Sequence, residues 1–255
     1  GRAYIYYGGQ NMNTVPDVIM TGAANDFFGN SVSTADDVNG DGYSDVIVGA
    51  NGYSTNTGRA YVFFGGALMN NVADVTMTGG AAGYKFGISV SSAGDVNGDG
   101  YSDVIVGANG YLTNTGIAYI FYGGLSMNNV EDVILSEGST NIFYGTSVST
   151  AGDVNGDGYS DVIVGAINYS SSTGRAYIFF GGASMNNIAD VTMTGEAAGN
   201  NFGLPVSSAG DVNGDGYSDV IIGANGYSSS TGKAYVYFGG ASMNNTCLLY
   251  TSDAA

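Results

Sequence analysis

The chain has 255 residues, with 22 acidic against 5 basic side chains (net charge −17), 44 glycines, 2 prolines, one cysteine, and neither histidine nor tryptophan. That length suffices for a sizeable buried core, while the acidity repels phosphate backbones and anionic lipid, so nucleic acid is excluded as a partner. No apolar run is long enough to span a bilayer, which excludes membrane insertion, and the lack of histidine removes the commonest general base and the commonest zinc ligand.

Abundant glycine together with regular apolar runs predicts many short strands joined by tight turns. The segment Asp-Val-Asn-Gly-Asp-Gly-Tyr-Ser-Asp begins at Asp37, Asp95, Asp153 and Asp211, 58 residues apart each time. Residues 1–22 read as the back half of a preceding repeat, since Gly1-Arg2-Ala3-Tyr4 matches Gly58-Arg59-Ala60-Tyr61 and Asp17 matches Asp74. Repeats follow at 23–80, 81–138, 139–196 and, truncated, 197–246. This period is too long for one coil of a β-helix or a leucine-rich repeat and is of the order of a propeller blade.

In the first full repeat the predicted elements run, in chain order, over 31–35, 45–50, 60–64 and 74–78. The first (Ser31 to Ala35) has small residues, as a strand near a crowded axis needs. The second (Val46, Ile47, Val48) and third (Tyr61 to Phe64) are apolar on both faces and must be covered on both sides. The fourth (Asp74 to Thr78) alternates polar and apolar, as an edge strand does. The expected fold is all-β: propeller blades of four antiparallel strands running from axis to rim, about four full blades plus a half blade, an incomplete propeller.

Between the first two strands lies the acidic segment. Asp37, Asn39, Asp41, Tyr43 and Asp45 occupy positions 1, 3, 5, 7 and 9 of one loop. The same set recurs as Asp95, Asn97, Asp99, Tyr101 and Asp103; as Asp153, Asn155, Asp157, Tyr159 and Asp161; and as Asp211, Asn213, Asp215, Tyr217 and Asp219. Alternate residues of a tight loop point inward, and carboxylates with an amide carbonyl are hard oxygen donors suited to Ca²⁺. The tyrosine is expected to offer its main-chain carbonyl. Position 12, a bidentate glutamate in an EF-hand, is Val48, Val106, Val164 or Ile222 here, and strands flank the loop, so an EF-hand is a poor reading. Five protein oxygens exceed what Mg²⁺ usually accepts. The expectation is one Ca²⁺ per full repeat, four in total, clipping a β-hairpin and doing no chemistry.

Phe28-Gly29, the loop from Asp37, then Gly49-Ala50 resembles the FG-GAP repeat of integrin α-subunit propellers and their prokaryotic relatives. Phe86-Gly87 with Gly107-Ala108, Tyr144-Gly145 with Gly165-Ala166, and Phe202-Gly203 with Gly223-Ala224 repeat the pattern. Asn51, Asn109, Ile167 and Asn225 stand where the family usually has proline. The resemblance covers nearly all of residues 1–246. It implies a non-enzymatic extracellular or cell-surface binding or adhesion module with a protein or glycan ligand. It also implies further repeats, since such propellers typically have seven blades. Two alternatives stand beside it: an accessory propeller of a secreted hydrolase whose catalytic domain lies elsewhere, and a structural surface-array repeat.

Four further features are periodic or break the period. Arg2, Arg59, Arg175 and Lys233 open the third strand, with Ile117 in the remaining copy, and are expected in local ion pairs or contacts to turn carbonyls. Tyr53, Tyr111, Tyr169 and Tyr227 lie in the next connection, on the face opposite the acidic loops, and are expected to pack against neighbouring blades or to grip a ligand. Asp36 replaces the glycine found at Gly94, Gly152 and Gly210 and is read as neutral drift, with an added charge beside the first loop as the alternative. The tail 247–255, which holds Cys247, has no counterpart in any repeat. It resembles a translated transposon-derived adapter and is read as a scar outside the fold.

Overall fold

The computed structural model describes residues 1–9 and 13–243; the tail read as a scar lies outside the described residues. The all-β expectation holds. A two-stranded piece, β1 (Arg2–Ile5) with β2 (Val18–Thr21), precedes four sheets. The first blade comprises β3 (Ser31–Asp36), β4 (Asp45–Ala50), β5 (Arg59–Phe63) and β6 (Val75–Thr78). The second comprises β7 (Ser89–Gly94), β8 (Asp103–Ala108), β9 (Ile117–Phe121) and β10 (Val133–Leu135). The third comprises β11 (Tyr144–Gly152), β12 (Asp161–Ala166), β13 (Arg175–Phe179) and β14 (Val191–Thr194). The fourth has three strands among the described residues, β15 (Phe202–Gly210), β16 (Asp219–Ala224) and β17 (Lys233–Tyr237). Every sheet is an antiparallel meander in chain order, and among the described residues none joins another to close a ring.

Chemistry sets the order of the strands. The serine-rich strands β3, β7, β11 and β15 lie against one another from blade to blade and form the inner edge. Ser31 Oγ donates to Gly87 O at 3.0 Å and Ser89 Oγ to Gly145 O at 2.8 Å, so small hydroxyls tie these inner strands together. The second strands of the first three blades are covered on both faces, and β8 and β12 are buried throughout. The fourth strands alternate buried and exposed positions, as rim strands do.

The core sits between blades. Ile47, Val62 and Met77 of the first blade pack on Phe86, Val104 and Val106 of the second. The pattern repeats with Ile105, Ile120 and Leu135 against Tyr144, Val162 and Val164, and with Ile163, Ile178 and Met193 against Phe202, Val220 and Ile222. Each such side chain stabilises by about 1.5–3 kcal/mol when buried, so each blade depends on its neighbour. The last blade shows the converse: Ile221 is 37% exposed and Val212 57%, where the equivalent Ile163 and Val154 are 0%.

Candidate metal centre

Each acidic loop joins the first two strands of its blade, and all twenty expected residues are placed there. In the first loop Asp37 Oδ1 accepts the N–H groups of Gly40 (2.7 Å) and Asp41 (3.1 Å), and its Oδ2 accepts that of Gly42 (2.9 Å). Asn39 Oδ1 accepts from Asp41 N and Asp41 Oδ1 from Tyr43 N, both at 2.9 Å. Asn39 Nδ2 donates to Asp41 Oδ2 at 3.0 Å. The other three loops repeat this network bond for bond. Short side chains thus hold the backbone in a tight path of successive turns.

The ninth position behaves differently. Asp45, Asp103, Asp161 and Asp219 open the second strand and are fully buried. Asp103 Oδ2 accepts the Val96 N–H at 2.8 Å and its Oδ1 the Gly123 N–H at 2.8 Å; Asp45, Asp161 and Asp219 do the same. One carboxylate therefore ties the acidic loop to the connection between the third and fourth strands. Burial pushes the Asp103 and Asp161 carboxyls up to about 7; the two N–H groups pull down, and the charges at positions 5 and 1 push up again. Asp45 is raised for the same reasons. Asp211 shifts the other way, held down chiefly by the Gly216 N–H.

Among the described residues no three acidic side chains converge closely enough to enclose a metal ion. The carboxylates at positions 1 and 5 face N–H groups of their own loops, and that at position 9 faces one there and one in the distant connection. The donor set nevertheless fits a hard cation. Every candidate ligand is an oxygen, three of the five are carboxylates, and no basic side chain is paired with them: among the described residues the only ion pair joins Lys233 to Glu196. Repeated buried acids with raised pKa and no counter-charge are groups a cation would relieve.

The opposite face carries what the sequence reading missed. Ser54, Thr55 and Asn56 have φ of 45°, 57° and 63°, a left-handed turn of three non-glycine residues, recurring at 112–114, 170–172 and 228–230. Left-handed turns cost L-residues about 1–2 kcal/mol each. Here the turn aims its carbonyls at the next blade: Thr55, Asn56 and Thr57 O accept from Gly83, Lys85 and Phe86 N at 3.1, 2.7 and 3.2 Å. Among the described residues only Lys233 is ion-paired, to Glu196, and Arg59 and Arg175 find aromatic and hydroxyl partners in place of turn carbonyls. Arg59 stacks on the Tyr53 ring at 3.5 Å and Arg175 on Tyr169 at 3.6 Å, and their Nε atoms donate to Thr78 and Thr194 Oγ1. Tyr111, which has Ile117 in place of a cation, packs edge-on against Tyr84 at 4.8 Å. Asp36 accepts from Ser92 Oγ of the next blade at 2.6 Å.

Four-stranded blades in series, each with the same acidic loop between its first two strands, define a repeat propeller. The FG-GAP repeat model matches at 28–63, 86–121, 144–179 and 205–237, together more than half of the chain, and the chain belongs to that family. It is similar to integrin alpha-5 of Xenopus laevis (33% identity over 160 residues, 57% of this chain and 15% of that protein). Integrin alpha-PS2 of Drosophila melanogaster matches at 31% over 228 residues (80% and 15%), and integrin alpha-IIb of Mus musculus at 35% over 158 (56% and 15%). The matched stretch is thus a small part of each of these relatives.

Proposed function

We propose that the chain is a calcium-stabilised, non-enzymatic binding or adhesion module of an extracellular or cell-surface protein, contacting a protein or glycan ligand. The observation that carries this reading is the fourfold recurrence, in phase, of an all-oxygen donor set without a basic counter-charge. In each loop the side chains at positions 1, 3, 5 and 9 and the main-chain carbonyl of the tyrosine hold one Ca²⁺. The ion supplies charge neutralisation and a cross-link between the loop and the start of the second strand. Such loops suit surroundings rich in Ca²⁺, and the likeness to integrin α subunits supports an adhesive role. Identical carboxylates in four copies and a histidine-free sequence argue against catalysis, which needs a singular site.

The ligand face is the one opposite the loops, where Tyr53, Tyr111, Tyr169 and Tyr227 are half-buried, the last three against the inter-blade cores, and can offer polar tips to a ligand. Binding of the immobilised chain to a glycan array and to a panel of extracellular proteins, with Ca²⁺ and with chelator, tests this. Saturable binding that chelator abolishes is expected. Absence of any binding in Ca²⁺ contradicts it.

A further inference from the structure

The acidic loops are joined to one another. The ring of Tyr101, at position 7 of the second loop, lies on Gly40, at position 4 of the first. A Cβ on Gly40 would come within 2.5 Å of Tyr101 Cε1, and φ there is +75°. Tyr159 covers Gly98 in the same way and Tyr217 covers Gly156. The residue after each tyrosine donates its N–H to the position 1 carbonyl of the preceding loop: Ser102 to Asp37 (3.1 Å), Ser160 to Asp95 (3.0 Å) and Ser218 to Asp153 (2.9 Å). Gly124, Gly182 and Gly240 then donate to Val38, Val96 and Val154 O, each at 2.7 Å. Among the described residues nothing lies within 4 Å of the equivalent Gly214 in the fourth loop.

These contacts touch both ends of the proposed donor set. One side of each junction is the backbone at position 1 of a loop; the other is the residue whose carbonyl is the position 7 donor of the next. From this geometry we infer that the tyrosine at position 7 is a positioning residue that couples neighbouring metal loops, so that they load with calcium cooperatively. This rests on the reading of the loops as calcium sites. An ion that fixes one loop fixes the surface on which the next tyrosine sits, and the neighbour then binds with less ordering left to do. The coupling is reciprocal, because it is a free energy shared by two sites.

Titration of the whole chain with CaCl₂, with bound ions counted directly, tests the coupling. The wild type is expected to bind four ions with a Hill coefficient above about 1.3. The triple variant Tyr101→Ala, Tyr159→Ala, Tyr217→Ala is expected to bind the same number with a coefficient near 1 and a midpoint raised about fivefold or more, within the usual range of coupling between sites. Phenylalanine at the three positions keeps the ring and is expected to restore the slope. Four ions bound independently by the wild type, or an unchanged slope in the alanine variant, overturns the coupling and leaves the calcium reading intact. No ion bound by the wild type overturns both. Should the alanine variant fail to fold, the wild-type slope still decides.

Discussion

Asp103 accepts the Gly123 N–H at 2.8 Å across twenty residues of sequence, while its other oxygen accepts that of Val96 at 2.8 Å. This buried carboxylate is a strut between two connections as well as a proposed ligand. Asp103→Ala leaves two N–H groups without their acceptor, and the expected loss is about 3 kcal/mol even in chelator. Asp99→Ala, at an exposed position, is expected to cost less than half of that in chelator. Urea unfolding of both variants checks the difference.

The same carboxyl gives a pH signature. Its folded pKa, like that of Asp161, is about 7, above the unfolded value of about 3.9. The folded chain therefore holds more protons between these values. The stability from this source is fully present below about pH 4 and is lost as pH rises through about 7. In chelator, the pH dependence between 5 and 7 is expected to flatten in Asp103→Asn. Calcium favours the ionised form, so the melting-point gain from added Ca²⁺ is expected to be larger at pH 8 than at pH 5. Scanning calorimetry at the two pH values measures both effects.

Tyr144 is fully buried, and among the described residues its hydroxyl has no hydrogen-bond partner. The equivalent residues Phe28, Phe86 and Phe202 carry no hydroxyl. Tyr144→Phe is expected to raise stability by about 1–2 kcal/mol, read from the unfolding midpoint.

Two glycines of one loop separate crowding from conformation. Gly98 (φ +77°) lies under the Tyr159 ring, whereas Gly100 (φ +91°) has nothing within 4 Å. Gly100→Ala is expected to cost about 1 kcal/mol from its backbone alone. Gly98→Ala is expected to cost roughly 1–3 kcal/mol more, because the ring must move. Paired unfolding curves give the difference.

The strands and their order from axis to rim were legible because burial on both faces, burial on one face, and small size each leave a distinct pattern in the residues. The place of the acidic segments, between the first two strands of each blade, was legible too, because the glycine-bearing motif falls in phase between two apolar runs. What those side chains touch was not. Nothing in an aspartate at position 9 announces that its second oxygen holds a glycine N–H in a distant connection. Tyr101 was read for its carbonyl alone. The signal for its ring was present, a glycine at position 4 paired with a tyrosine at position 7 in every copy, but it acts between repeats and shows only once the blades are stacked. The left-handed turn at Ser54 was hidden for a different reason. Ser, Thr and Asn tolerate that conformation without demanding it, and the demand comes from the N–H groups of Gly83, Lys85 and Phe86 on the next blade.

The most direct test of calcium stabilisation is the melting temperature of the whole chain in about 1 mM CaCl₂ and again with excess chelator. With Kd near 0.1 mM, each loop adds about 1.4 kcal/mol. Four loops then raise the melting temperature by roughly 10 °C or more in a chain of this size. A rise of that order, reversed by chelator, is the predicted result; identical melting curves in the two solutions contradict the account.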